Sequence, residues 1–178
     1  MTSQTSAPED VFVCAVPTPR LPPAGPLIEG SAGPLLAQFG HAPGLIEGWL
    51  KWYQPLVLGG VVPVRTKELC RLAIARRTGC HMCQNGRFAD PSGTGPAVAD
   101  ADAAAVLADE WSGFSADETS ALRYTVAYWD AHDAVGDDVV QQVCDAYGYD
   151  GFLELAVVVA QFAGMGRLFQ LLGIAAGS

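Results

Sequence analysis

The sequence predicts an all-α protein, and three observations carry that expectation. Apolar residues recur at helical spacing, as in Leu45, Trp49, Tyr53 and Leu56 and again in Leu69, Leu72 and Ala73. Stretches dense in proline and glycine separate these periodic segments. Ser115, followed three residues later by Glu118, forms a capping box, which marks a helix start.

Taken in chain order, residues 1–34 contain Pro8, Pro17, Pro19, Pro22, Pro23, Pro26 and Pro34, a density that forbids continuous helix and suggests an extended arm, with Val11-Phe12-Val13 as an anchor. A single all-helical domain is expected over 35–178. It begins with short helix from Leu35 to Phe39 and then a helix from Pro43 to Leu58, Pro43 suiting the first turn. Thr66 is the expected cap of the next helix, whose apolar face includes Leu69, Leu72, Ala73 and the stem of Arg76, and which Gly79 ends. Cys80 opens a helical segment to about Ala89, and Asp90 to Pro96 is an evident loop and the best candidate for a mobile element. Beyond it an alanine-rich helix is expected from Ala97 to Trp111, then helices from Ser115 to His132, Asp137 to Tyr147 and Gly151 to Leu172. The last is apolar on several faces, the pattern of a helix at the centre of a bundle or in a subunit interface.

The 178 residues suffice for one domain with a core. Half of them are hydrophobic and 16% are charged, which argues against disorder and for burial against copies of the same chain, hence for a homo-oligomer. The net charge of −9, with Lys51 and Lys67 the only lysines, excludes an ordinary nucleic-acid-binding surface. The N-terminus lacks a basic cluster before an apolar run, and Leu155 to Gly166 falls short of a bilayer span, so neither export nor membrane insertion is expected and the cytoplasm is the expected location. Cys14, Cys70 and Cys144 are scattered singly, as small hydrophobes in a reducing compartment would be.

Cys80 and Cys83 differ from these three. Two cysteines three apart suit a reversible disulfide, and at a helix N-terminus the unpaired N–H groups favour thiolate over thiol. A lone CxxC is also half of a zinc site, but no second CxxC or His-x₃₋₅-His pair completes four ligands, so no metal is assigned. A cysteine pair that merely sits in a core is the remaining structural alternative.

Glu68 in one helix and Gly79-Cys80-x-x-Cys83 at the start of the next, with Cys80 twelve positions after Glu68, resemble the signature of AhpD-like members of the carboxymuconolactone decarboxylase family. The similarity continues through Phe114-Ser115-Ala116-Asp117-Glu118, Ala121-Leu122-Arg123-Tyr124, Glu154-Leu155, Phe162, Arg167-Leu168 and Leu171-Leu172-Gly173, and covers roughly residues 35–175. The resemblance implies an AhpD-like helical bundle assembled as a trimer or a multiple of one. It also implies thiol-dependent peroxidase or disulfide-reductase activity on a small-molecule substrate, with no cofactor and with an external dithiol as reductant. It makes Cys83 the thiol that attacks, Cys80 its resolving partner, and Glu68 a carboxylate of the proton relay.

The sequence departs from the pattern at two places. The histidine that peroxidase-type members carry four residues after the second cysteine is replaced by Arg87, and the one just before that cysteine by Met82, while His81 lies one position earlier and so about 100° round a helix. Arg87 on the same helical face as Cys83 would hold a thiolate or an anionic substrate, but a guanidinium is no base at neutral pH. Its plain alternative is a salt bridge with Asp90, and that of Glu68 is a surface pair with Arg71. His81 and Arg87 are thus candidates for substrate binding or thiolate stabilisation. The rival function is a cysteine-independent lyase, decarboxylase or isomerase acting on a small lactone or acid, with a non-catalytic binding protein as a third class.

Overall fold

The computed structural model describes residues 38–173. The proline-rich arm, most of the segment Leu35 to Phe39, and Cys14 lie outside the described residues. The described chain is all-α: α1 Pro43–Leu58, α2 Val64–Thr78, α3 His81–Asn85, α4 Asp100–Leu107, α5 Ala116–Ala131, a single 3-10 turn His132–Ala134, and α6 Asp137–Leu172. Among the described residues the one β-like feature is an isolated bridge between Ala89 and Pro96.

Local signals explain several boundaries. Pro43 occupies the first turn of α1, where its missing N–H costs nothing. Gly79 ends α2 in the left-handed conformation, φ 65°, with its N–H on the carbonyls of the last turn. The Ser115 hydroxyl accepts the Glu118 N–H while the Glu118 carboxylate accepts the Ser115 N–H, so the capping box is formed at the start of α5.

Other boundaries differ from the sequence reading. Helix α2 begins at Val64 with Pro63 as its N-cap, so Thr66 lies inside the helix, its hydroxyl 3.4 Å from the Tyr147 hydroxyl. Helix α3 stops at Asn85 instead of reaching Ala89, because Gly86 turns to extended backbone. Residues 97–99 precede α4 without joining it; the Ala97 N–H is donated to the Phe88 carbonyl, which folds the Asp90 to Pro96 loop back on itself. At the C-terminus, by contrast, the two expected helices are both present within α6, separated at Gly148, whose φ of 77° no residue of a right-handed helix adopts.

The centre of the bundle is α2, on which every residue from Thr66 to Ala75 is buried. One side carries Cys70 and Ile74 against Ala121 and Tyr124 of α5 and Val143, Leu155, Val159 and Ala163 of α6. The other packs Leu69, Leu72 and Ala73 against Val98, Ala103, Val106 and Leu122. Helix α6 is long and apolar enough, by length and composition alone, to cross a membrane. Its Leu155, Val158, Val159 and Phe169 nevertheless face the protein core, while Leu153 and Val157 are exposed. Because α2 is enclosed, its polar residues Thr66, Lys67, Glu68 and Arg71 are buried with it, and burial at that level demands internal partners.

Candidate redox site

Cys80 follows the left-handed turn at Gly79 and acts as N-cap of α3, its sulfur accepting the Cys83 N–H at 3.3 Å. The turn is fixed at its base, where Cys80 N and Gln84 Nε2 both donate to the Ala75 carbonyl at 3.1 Å. Three residues along one helical turn bring Cys83 beside Cys80, with Cα atoms 5.2 Å apart and the two sulfurs at disulfide distance. Cys80 is fully buried, whereas Cys83 is partly exposed. Phe39, Met82, Met165, Phe169 and Leu172 pack around the pair.

Beneath this turn lies a buried ion pair. Arg71 Nε and Nη2 donate to Glu68 Oε2 and Oε1 at 2.6 and 2.8 Å, the two-pronged geometry that a planar guanidinium favours. The remaining donors reach the α3 segment: Nη1 to the Cys83 carbonyl at 2.5 Å and Nη2 to the Gly86 carbonyl at 2.7 Å. The Phe88 N–H is donated to Glu68 Oε1 at 3.2 Å, and the Phe88 ring lies 5.2 Å from the guanidinium carbon. Ring contacts continue outward from Phe88 to a tilted Phe162, then edge-on to Tyr53, which stacks on Trp49. Burial pushes the Tyr53 hydroxyl up to about 12, with the Arg71 charge pulling it down and the Glu68 charge opposing Arg71.

Of the residues singled out from sequence, Cys80, Cys83 and Glu68 come together here, but Glu68 does so through Arg71. Its pairing with Arg71 is the plain alternative considered above, in a buried rather than a surface setting. Arg87 does not share a helical face with Cys83, since α3 ends two residues before it. Its Nη1 is donated to the Gln84 and Gly86 carbonyls, and its Nε lies 3.8 Å from Asp100, the ion-pair partner found in place of Asp90. His81, the first residue of α3, is exposed. Among the described residues no group of three or more His, Cys, Asp and Glu side chains is arranged to hold a metal ion.

Sequence reasoning passed over Arg71 as a functional residue. The available signal was its i+3 spacing from Glu68 within a helix that also carries the core positions Leu69, Leu72 and Ala73. No family model matches the chain, and no curated protein matches it either.

Proposed function

We propose that the protein is a thiol-dependent oxidoreductase of AhpD-like type, a peroxidase or disulfide reductase working through Cys83 and Cys80 and assembled as a homo-oligomer. The observation that carries this reading is the asymmetry of the pair: Cys83 is a partly exposed residue, while Cys80, at disulfide distance from it, is fully buried. With an organic hydroperoxide, the Cys83 thiolate attacks the distal oxygen and the O–O bond breaks. That oxygen stays on Cys83 as a sulfenic acid, and the leaving alkoxide takes a proton to become an alcohol. The Cys80 thiol then attacks the Cys83 sulfur; an S–S bond forms, and the sulfenic oxygen leaves as water with the Cys80 proton. An external dithiol restores both thiols, contributing two electrons and two protons and leaving as its own disulfide. With a disulfide substrate, Cys83 attacks a substrate sulfur and Cys80 resolves the mixed disulfide.

Turnover of an alkyl hydroperoxide and of a small disulfide, with a dithiol donor, tests this in wild type beside Cys83→Ser. Wild-type turnover that Cys83→Ser abolishes is the expected result. If Cys83→Ser keeps full activity on a lactone or carboxylic acid and wild type handles neither oxidant, the acid–base rival replaces the proposal.

A further inference from the structure

A five-residue helix carries little dipole, so α3 by itself gives the Cys83 thiolate only a modest advantage over the thiol. Among the described residues, the charged and titratable groups around this turn are few. On α3 there is His81, exposed, and after it Arg87, whose guanidinium is bonded to the Gln84 and Gly86 carbonyls. From α2 come Glu68 and Arg71; from α1 comes Tyr53; the α6 neighbours Met165, Phe169 and Leu172 carry no charge. Within this set, Arg71 is the cation bonded to the backbone of Cys83 itself, and it is buried in the core.

We propose that Arg71, held by Glu68, is the positioning residue that sets the thiolate and the redox poise of Cys83. It acts through the main chain. Carbonyls near the end of a short helix point their negative ends out of it, and such dipoles oppose a neighbouring thiolate. Arg71 covers two of them, those of Cys83 and Gly86, with a full positive charge, and thereby fixes the turn on which the sulfur stands. Glu68 occupies the far side of the guanidinium with both its oxygens, so the positive face is turned to the cysteine segment. Glu68 on this account orients Arg71 and does not itself exchange a proton with the thiol. Lowering the thiol pKa also stabilises the reduced form, which makes the disulfide easier to reduce.

The inference rests on the thiol–disulfide reading, but its readout does not require turnover. On protein reduced chemically and freed of reductant, the rate of Cys83 alkylation against pH reports the thiol pKa, and equilibration with a dithiol buffer reports the potential. Arg71→Met is expected to raise the Cys83 pKa by about one pH unit and to make the disulfide harder to reduce. Arg71→Lys is expected to recover part of the shift, and Arg87→Leu to leave the profile in place. Since Arg71→Met strands the buried Glu68 charge, the paired variant Glu68→Gln/Arg71→Met repeats the measurement without an unpaired ion and is expected to move the pKa the same way. An unchanged alkylation profile in the paired variant, or a profile that follows Arg87→Leu instead, overturns the proposal. Absence of any peroxide or disulfide turnover, alongside a pKa that follows Arg71, sinks the proposed function and leaves Arg71 as the group that sets this thiol.

Discussion

Two cysteines of this chain meet opposite physical conditions. Cys70 lies in the core between α2, α5 and α6, where burial pushes its thiol up to about 12 against the weaker pull of a Thr125 hydrogen bond. Cys83 stands partly exposed beside a guanidinium. In the reduced native protein, iodoacetamide at pH 8 is therefore expected to label Cys83 well before Cys70, which reacts only on unfolding; peptide mass spectrometry reads the order. Native labelling of Cys70 at a rate matching Cys83 would contradict the assignment of the reactive thiol. The same burial has a consequence for stability. A thiol that holds its proton to about 12 when folded, against an ordinary 9, contributes stability that is complete below pH 9 and lost as the pH rises through 12, because the unfolded chain releases the proton first. Tyr53 adds to this loss between its ordinary 10 and its folded value near 12. At this scale the sequence disclosed the cysteine pair and Glu68, whose spacing is local. Arg71 was harder to see, because its bonds to the Cys83 and Gly86 carbonyls span 12 and 15 residues and depend on how α3 folds back onto α2.

Helix α2 shows why element boundaries were more legible than element placement. Pro43, Gly79 and Ser115 with Glu118 act within a turn of their own position, so composition alone located them. Hydropathy, by contrast, pointed to Gly151 to Leu172 as the helix to bury, while the enclosed helix is the one carrying Lys67, Glu68 and Arg71. Charges conceal burial when they are satisfied internally. Lys67 Nζ donates to the Leu56 carbonyl at 2.8 Å, to the Gly59 carbonyl, and to Glu154 Oε1. Glu154 in turn accepts the Val61 N–H at 2.7 Å and the Val62 N–H at 3.3 Å. The pair thus joins the end of α1, the α1–α2 connection, the interior of α2 and α6. It also explains Gly60, where φ is 83° and a Cβ would collide with the Glu154 carboxylate. Lys67→Met leaves two carbonyls and a mostly buried carboxylate without their cation, and is expected to lower the unfolding free energy by about 3 kcal/mol. Glu154→Gln in the same chain should recover part of that loss. Chemical denaturation with an unchanged slope checks both, and a loss below about 0.5 kcal/mol for Lys67→Met would show that water already reaches the ammonium.

For the molecule as a whole, the apolar surplus expected of α6 is divided between two faces. Leu155, Val158, Val159 and Ala163 fill the core, while Tyr149, Leu153 and Val157 remain 76, 63 and 42% exposed. These three recur every four residues, so they form one stripe along the outer side of the helix. Such a row on a chain with net charge −9 is a poor surface to leave in water and a natural one to cover with a second copy, which supports the proposed homo-oligomer. Placing a carboxylate at the centre of that contact forces a charge out of water and removes an apolar side chain worth about 1.5–3 kcal/mol on burial. Leu153→Glu is therefore expected to weaken association by at least tenfold in dissociation constant, a factor that corresponds to about 1.4 kcal/mol. Because residue 153 points away from the core, the variant should keep wild-type helicity and the wild-type Cys83 alkylation profile. Light scattering at micromolar concentration is the measurement. A wild-type protein that is monomeric there removes the basis for an oligomer, and an oligomer that Leu153→Glu leaves intact moves the interface to another face.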